Sequence, residues 1–246
     1  MDTMLFENYS SIIISTIQRI CTEQKDSLLQ AAQLVASVIE KDGIIYIFGC
    51  GHSGMLACEG FYRAGGLANV APVFYEPLML HESASESSLL EKQTGYAQRL
   101  FEACTPEARD MLFCFSTSDK NAVPVEYASH VTSLGIPTVA VCSSAYFNQP
   151  VHNACNKHLH EVCTMFIDNY APFGDACVNI GHTSSAMAPL STITGAFILN
   201  SVLSEGARIA LAHGTEVPIY VSGNVPNGSE RNQALIARYS SRIPSL

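Results

Sequence analysis

Short apolar runs that each end in a loop of small or hydroxyl residues constrain this chain more than any other feature. Gly43–Gly49 reads GIIYIFG, Asp110–Ser118 reads DMLFCFSTS, Ile136–Ser144 reads IPTVAVCSS and Thr164–Asn169 reads TMFIDN. Runs that are apolar at successive rather than alternate positions suit strands buried on both faces. NVAPVFYEP, ended by Pro77, and the later PIYVSGN read as further strands.

Helical segments lie between and around them. Residues 5–40 read as two helices, with Leu28, Ala32, Val35 and Ile39 at helical spacing in the second. Further helices are expected from about Gly54 to Ala64, over SLLEKQTGYAQRLFEAC, and over NAVPVEYASHVTSLG. In the last of these Pro124 falls in the first turn and Gly135 is placed to end the helix. A long helical stretch is expected from about Ser185 to Ala212, and a closing helix near Arg231–Tyr239. Strand, loop and helix in alternation predict an α/β fold with a parallel sheet and right-handed crossovers. No linker, charge run or repeat divides the chain, so one domain is expected: N-terminal helices about 5–40, an α/β core about 43–222 and a C-terminal helix about 229–239.

With 48% apolar and 14% charged residues, the 246-residue chain can bury a sizeable core. Its formal charge of −9, with no basic block, argues against nucleic acid or an anionic membrane as the partner. No run approaches the length of a membrane span. The N-terminus, with Asp2 and Glu7 and no basic stretch, does not read as a signal peptide. Nine scattered cysteines without a CxxC pair suit a reduced, cytoplasmic protein.

Ligands of open parallel sheets bind beyond the carboxyl ends of the strands. Three polar loops are expected there. Gly49-Cys50-Gly51-His52-Ser53 turns sharply into a helix, although it is neither a Walker loop nor a GxGxxG motif. Ser116-Thr117-Ser118-Asp119-Lys120-Asn121 places three hydroxyls before a helix, as a neutral phosphate cradle or as an ordinary capping cluster. HTSSAMAPLSTITG carries Ser184, Ser185, Ser191, Thr192 and Thr194. These hydroxyls either line a site or pack on neighbours.

The first two loops, in this order and spacing, resemble the sugar isomerase (SIS) domain. FGCGHSGMLACEGFYRAGGL, EPLMLHESASESS, IDNYAPFGDA, APLSTITGAFILN and SGNVPNGSERN are similar to a family of SIS-domain proteins described as phosphoheptose-isomerase-like or phosphosugar-binding. The resemblance runs from about residue 5 to 239. It implies a flavodoxin-like three-layer α/β/α sandwich with a five-stranded parallel sheet and helical extensions at both ends. It also implies a phosphorylated sugar as ligand, held at the strand ends of a homodimer or homotetramer whose site a second subunit completes. Carried over by position, Gly51, His52 and Ser53 line the first loop. Ser116, Thr117, Ser118 and Asn121 hold the phosphate, and Ser191 and Thr192 match a later hydroxyl pair. SIS loops usually read Ser-x-Ser-Gly, and here Asp119 stands at the glycine. A carboxylate beside a phosphate is unfavourable unless it points away, for example as a helix cap.

Aldose–ketose isomerisation needs a base between C1 and C2 and an acid for ring opening. Glu59 is one candidate, but Arg63 lies one helical turn on, so the two either pair on the helix face or serve the site. Phosphoheptose isomerases place a metal-binding histidine and a catalytic glutamate at about these points, so that chemistry does not carry over intact. His81 and Glu82, in an expected polar loop after the second strand, are an acid–base pair or solvated residues. Asp175 is a weaker candidate. HNACNKHLH, with His152, Cys155, His158 and His160, has residue types that suit zinc at a spacing that matches no closed site. No metal and no cofactor are expected. The reading is a phosphosugar-binding protein that works as a sugar-phosphate isomerase. An etherase-like lyase acting on N-acetylmuramic acid 6-phosphate and a non-catalytic sensor remain as alternatives.

Overall fold

The structure, a computed structural model of the chain, describes residues 4–101, 104–181 and 184–246. Asp2, residues 102–103 at the end of an expected helix, and residues 182–183 at the start of the third polar loop lie outside them.

Two helices, α1 (Leu5–Glu23) and α2 (Lys25–Glu40), lead into the sheet. The strands are β1 (Ile45–Gly49), β2 (Val70–Pro72), β3 (Met111–Phe115), β4 (Thr138–Cys142) and β5 (Met165–Asp168). They pair in parallel in the order β2-β1-β3-β4-β5. The continuous apolar runs have a direct cause, because successive residues point to opposite faces and both faces are covered. Ile45, Ile47, Phe113, Val139 and Ile167 pack on α2 and on the long α8 (Ser191–Ala212). Tyr46, Phe48, Leu112, Cys114 and Ala140 pack on α6 (Ala122–Ser133) and on the chain's end at Tyr239 and Ile243. The result is the three-layer sandwich. Helices α2 and α8 meet closely because Gly206 has no side chain: a Cβ there would lie 2.4 Å from Val35 Cγ1. No helix among the described residues is long and apolar enough to cross a membrane.

Several elements differ from the sequence-based expectation. The first crossover helix, α3 (Met55–Gly60), stops where Phe61 turns to extended backbone, and Tyr62 follows at positive φ. The His81–Glu82 segment is helical, in α4 (Leu80–Leu90), with a kink at Ser83. Of the helix expected over SLLEKQTGYAQRLFEAC, residues 88–90 lie in α4 and, among the described residues beyond them, Gln98–Phe101 (α5) is helical. The long C-terminal helix begins at Ser191 rather than near Ser185, and a short α7 (Leu159–Val162) precedes β5. Ahead of α8 lies an antiparallel hairpin of β6 (Ala176–Asn179) and β7 (Ala186–Pro189). Pro189, with no N–H, cannot sit inside a helix. PIYVSGN contributes one antiparallel bridge, Leu67 to Ile219, instead of a strand. The closing helix is α9 (Gly228–Tyr239).

Candidate functional site

After β1 the chain goes to one side to form β2, then returns to place β3 on the other side of β1. That reversal opens a crevice beyond the carboxyl ends of β1 and β3, where such sheets bind ligands. Gly49 is in register with Phe115, so the loops after both strands leave at the same level.

The first loop is wound tightly. Gly49 has no room for a side chain, since a Cβ would fall 2.6 Å from the Ser53 carbonyl carbon and oxygen. Gly51 takes a positive φ of 56° at the start of a 3₁₀ turn, Gly51–Gly54. The Ser53 N–H donates to the Cys50 carbonyl at 3.0 Å. The second loop is a turn closed by the Asp119 N–H on the Ser116 carbonyl at 3.0 Å. Thr117 Oγ1 accepts from Asn169 Nδ2 at 3.2 Å, which ties the turn to the end of β5.

The two loops face each other across a cavity of about 270 Å³. Gly51, His52 and Ser53 line one side, and Ser116, Thr117, Ser118 and Asn121 the other. Ser191 joins them from the start of α8, and Thr192 lies beside it in an adjoining crevice. Leu80, Ala84, Ser87 and Ser88 of α4 form a third wall. Ser87 is fixed there by its hydroxyl, which donates to the Leu78 carbonyl at 2.8 Å.

Asp119 resolves the departure at the glycine position. Its φ is +62°, the left-handed conformation that glycine favours and that aspartate tolerates better than most residues. Its side chain is fully buried and is held by the 158–160 segment. Asp119 Oδ1 accepts the His160 backbone N–H at 3.0 Å, and Oδ2 lies 2.5 Å from His160 Nδ1. Burial pushes this carboxyl above its ordinary range, and the bonds from His160 draw it part of the way back.

A SIS domain model matches residues 8–143, a span that includes both loops. A UPF0309 protein of Geobacillus thermodenitrificans is 38% identical over 98% of both chains. Another, of Halalkalibacterium halodurans, is 40% identical over 98% of this chain and 97% of its own. The chain belongs to the SIS domain and UPF0309 families. The structure of phosphoheptose isomerase from Neisseria gonorrhoeae superposes with a TM-score of 0.53, covering 83% of this chain and 96% of that one. At 16% identity the likeness is one of fold.

In this SIS domain the acid–base candidates divide. The Glu59 carboxylate pairs with Arg63 and accepts from Asn200 Nδ2 at 2.9 Å, and it is not among the cavity-lining residues. His81 and Glu82 lie 3.5 Å apart, both side chains more than half exposed, between the cavity-lining Leu80 and Ala84 but outside the wall. Asp175, at φ +67°, caps α8. Its Oδ1 accepts the N–H groups of Leu190 (3.1 Å) and Ser191 (2.7 Å), and its Oδ2 accepts the Ser191 hydroxyl (2.7 Å). Ser191 therefore spends its one proton on Asp175. Thr194 is buried, and its hydroxyl donates to the Leu190 and Ser191 carbonyls at the start of α8.

Sequence reasoning missed Glu91. It follows α4, lines the cavity and accepts Asn121 Nδ2 at 2.8 Å. Burial raises its carboxyl above the usual value, with Lys92 opposing. The buried Cys50 thiol, also in the wall, is pushed well up by burial and by the Glu91 charge. Nothing in LLEK marks Glu91; only α4 folding back over the crevice brings it there. No Lys or Arg lines the cavity: an anion on the Ser116–Ser118 side meets hydroxyls and backbone, with His52 across from it, while the carboxylates of Glu91 and Asp175 also stand in the lining. The four residues of HNACNKHLH do not gather into one group: among the described residues, His158 and His160 gather with Asp119 instead.

Proposed function

We infer that this SIS domain protein binds a phosphorylated sugar between the glycine turn and the Ser116–Asn121 turn, and isomerises it between aldose and ketose forms. The observation that carries the reading is the cavity itself. Three hydroxyls of one turn face a glycine-built turn across it, and a carboxyl with a raised pKa stands in the same wall. The phosphate lies on Ser116, Thr117 and Ser118, whose hydroxyls and amides form a neutral cradle. Glu91 moves the proton between C1 and C2, since a buried carboxyl titrating nearer neutrality can both take and return it. The protein acts as a homo-oligomer in the cytoplasm. The exposed Leu5, Phe6 and Ile14 of α1 support an interface with a second copy.

A panel of hexose, amino-sugar and heptose phosphates, free sugars and inorganic phosphate, read by thermal denaturation, tests the binding step. A ligand at 100 times its dissociation constant adds about 2.7 kcal/mol. Stabilisation by phosphorylated sugars alone identifies substrates for an isomer-exchange assay by NMR. Glu91→Gln is expected to keep that stabilisation and lose turnover. If the parent protein binds sugar phosphates and converts none, the protein is a sensor, and the isomerase reading fails while the binding reading stands.

A further inference from the structure

We propose that Asp119, His158 and His160 form a binding site for a divalent transition metal of the zinc class, behind the Ser116–Asn121 turn. Three potential ligand atoms, one carboxylate oxygen and two imidazole nitrogens, lie within 4.8 Å of one another. Both rings present the same atom, Nδ1, to the same oxygen, Asp119 Oδ2, at 2.5 Å from His160 and 3.1 Å from His158. Only the His160 contact is a hydrogen bond. His158 Nδ1 is buried and makes none, although it is near enough. A buried ring nitrogen without a hydrogen-bond partner is costly. A cation bonded to all three atoms removes that cost, with the 2.5 Å His160–Asp119 contact widening to the roughly 3 Å that two metal bonds of about 2.0–2.1 Å require.

The donor set is chemically apt. Two neutral imidazoles and one carboxylate bind Zn²⁺ or Fe²⁺, leaving further positions open. The buried Cys142 thiol interacts with the same carboxylate and adds a soft donor beside the three ligands. The ligands are also held in place by their surroundings. The second carboxylate oxygen is fixed by the His160 backbone N–H at 3.0 Å, and the His160 ring stacks on Phe147 with centroids 3.8 Å apart. Supporting contacts of this kind orient ligands in metal sites. The ion would join the β3–α6 turn to the segment before β5, which are about forty residues apart in sequence. Any gain in sugar-phosphate affinity from that clamp rests on the proposed function above; the metal site does not.

The test is metal binding by the whole chain, stripped with a chelator and titrated with Zn²⁺ against a colorimetric indicator, then with Co²⁺ read in the visible. One equivalent of tight binding is expected, with Co²⁺ bands of low coordination number. Asp119→Asn, which keeps a residue tolerant of positive φ, and His160→Gln are each expected to weaken binding by at least about tenfold. A Cys21→Ser/Cys58→Ser variant, which removes the two exposed thiols, is expected to bind as the parent does. Circular dichroism establishes that each variant is folded, and His158→Gln replaces any that is not. Absence of saturable binding overturns the proposal. So does parental affinity in the Asp119 and histidine variants, which leaves an ordinary hydrogen-bonded triad. Neither result depends on a sugar ligand.

Discussion

Two glycines of the first loop are required for different physical reasons, and substitutions separate them. At Gly49 the obstacle is space. A Cβ would sit 2.6 Å from the Ser53 carbonyl and 2.9 Å from the Gly54 nitrogen, all backbone atoms that move only if the turn opens. Overpacking of this kind costs about 1–3 kcal/mol, and the rigidity of the obstacle puts Gly49→Ala near the upper end. For a chain of this size, about 2–3 kcal/mol lowers Tm by roughly 4–12 °C. At Gly51 space is open, with the nearest neighbour, Leu80 Cδ2, at 3.8 Å, but φ is +56°. Gly51→Ala should therefore cost only about 1–2 kcal/mol, and Gly51→Asn less, because asparagine visits the left-handed region more readily. Urea denaturation gives the three values from midpoints at constant slope. The sugar-phosphate thermal shift should vanish in Gly49→Ala and persist in Gly51→Asn. The reasoning is refuted if Gly49→Ala matches the parent in both assays, or if Gly51→Asn is as unstable as Gly51→Ala.

Other outcomes follow from single contacts. The Glu91 carboxyl titrates higher folded than unfolded, so its contribution is fully present below the unfolded value of about 4.5 and is lost as pH rises through the folded value. Glu91→Gln should accordingly raise Tm at pH 7 to 8, with the gain disappearing near pH 4 in a pH series of melting curves. Asp175→Ala should destabilise by about 2 kcal/mol in urea through loss of the α8 cap, with Asp175→Asn recovering part of it. Buried Asp110 accepts the Ile44 N–H at 2.7 Å, the Glu107 N–H at 2.6 Å and Arg242 Nη2 at 2.7 Å. Asp110→Ala should cost about 3–5 kcal/mol, and a loss under 1 kcal/mol by calorimetry would contradict this.

The sheet was legible because apolar runs such as MLFCF and TVAVC admit one reading when both faces are buried. The loops that follow them were legible for the same reason: a parallel strand must end where a ligand can reach. What escaped were features set by distant contacts. Ser185–Ala212 is rich in small and apolar residues throughout, and the hairpin cut from its front is defined by pairing with Ala176–Asn179 and by the Asp175 cap. HESASESS reads as a polar loop because its composition is that of an exposed surface. It is helical because Leu80 and Ser87 turn inward over the crevice. Asp119 looked like a liability because its partners, His158 and His160, come about forty residues later. Glu91 carried no signal, since its burial is a property of the packed helix alone.

Cys50 makes the cleft readable by simple chemistry. Its thiol is buried in the cavity wall with its pKa held well up, whereas Cys21 and Cys58 are exposed. Alkylation needs a thiolate within reach of the reagent. Modification of Cys50 should therefore be slow, while exposed Cys21 provides a reference rate within the same molecule; burial raises the Cys58 thiol as well, so it is a poorer reference. Followed by peptide mass spectrometry, the ratio of those rates reports access to the cavity wall, and any small molecule that seats between the two turns should lower it.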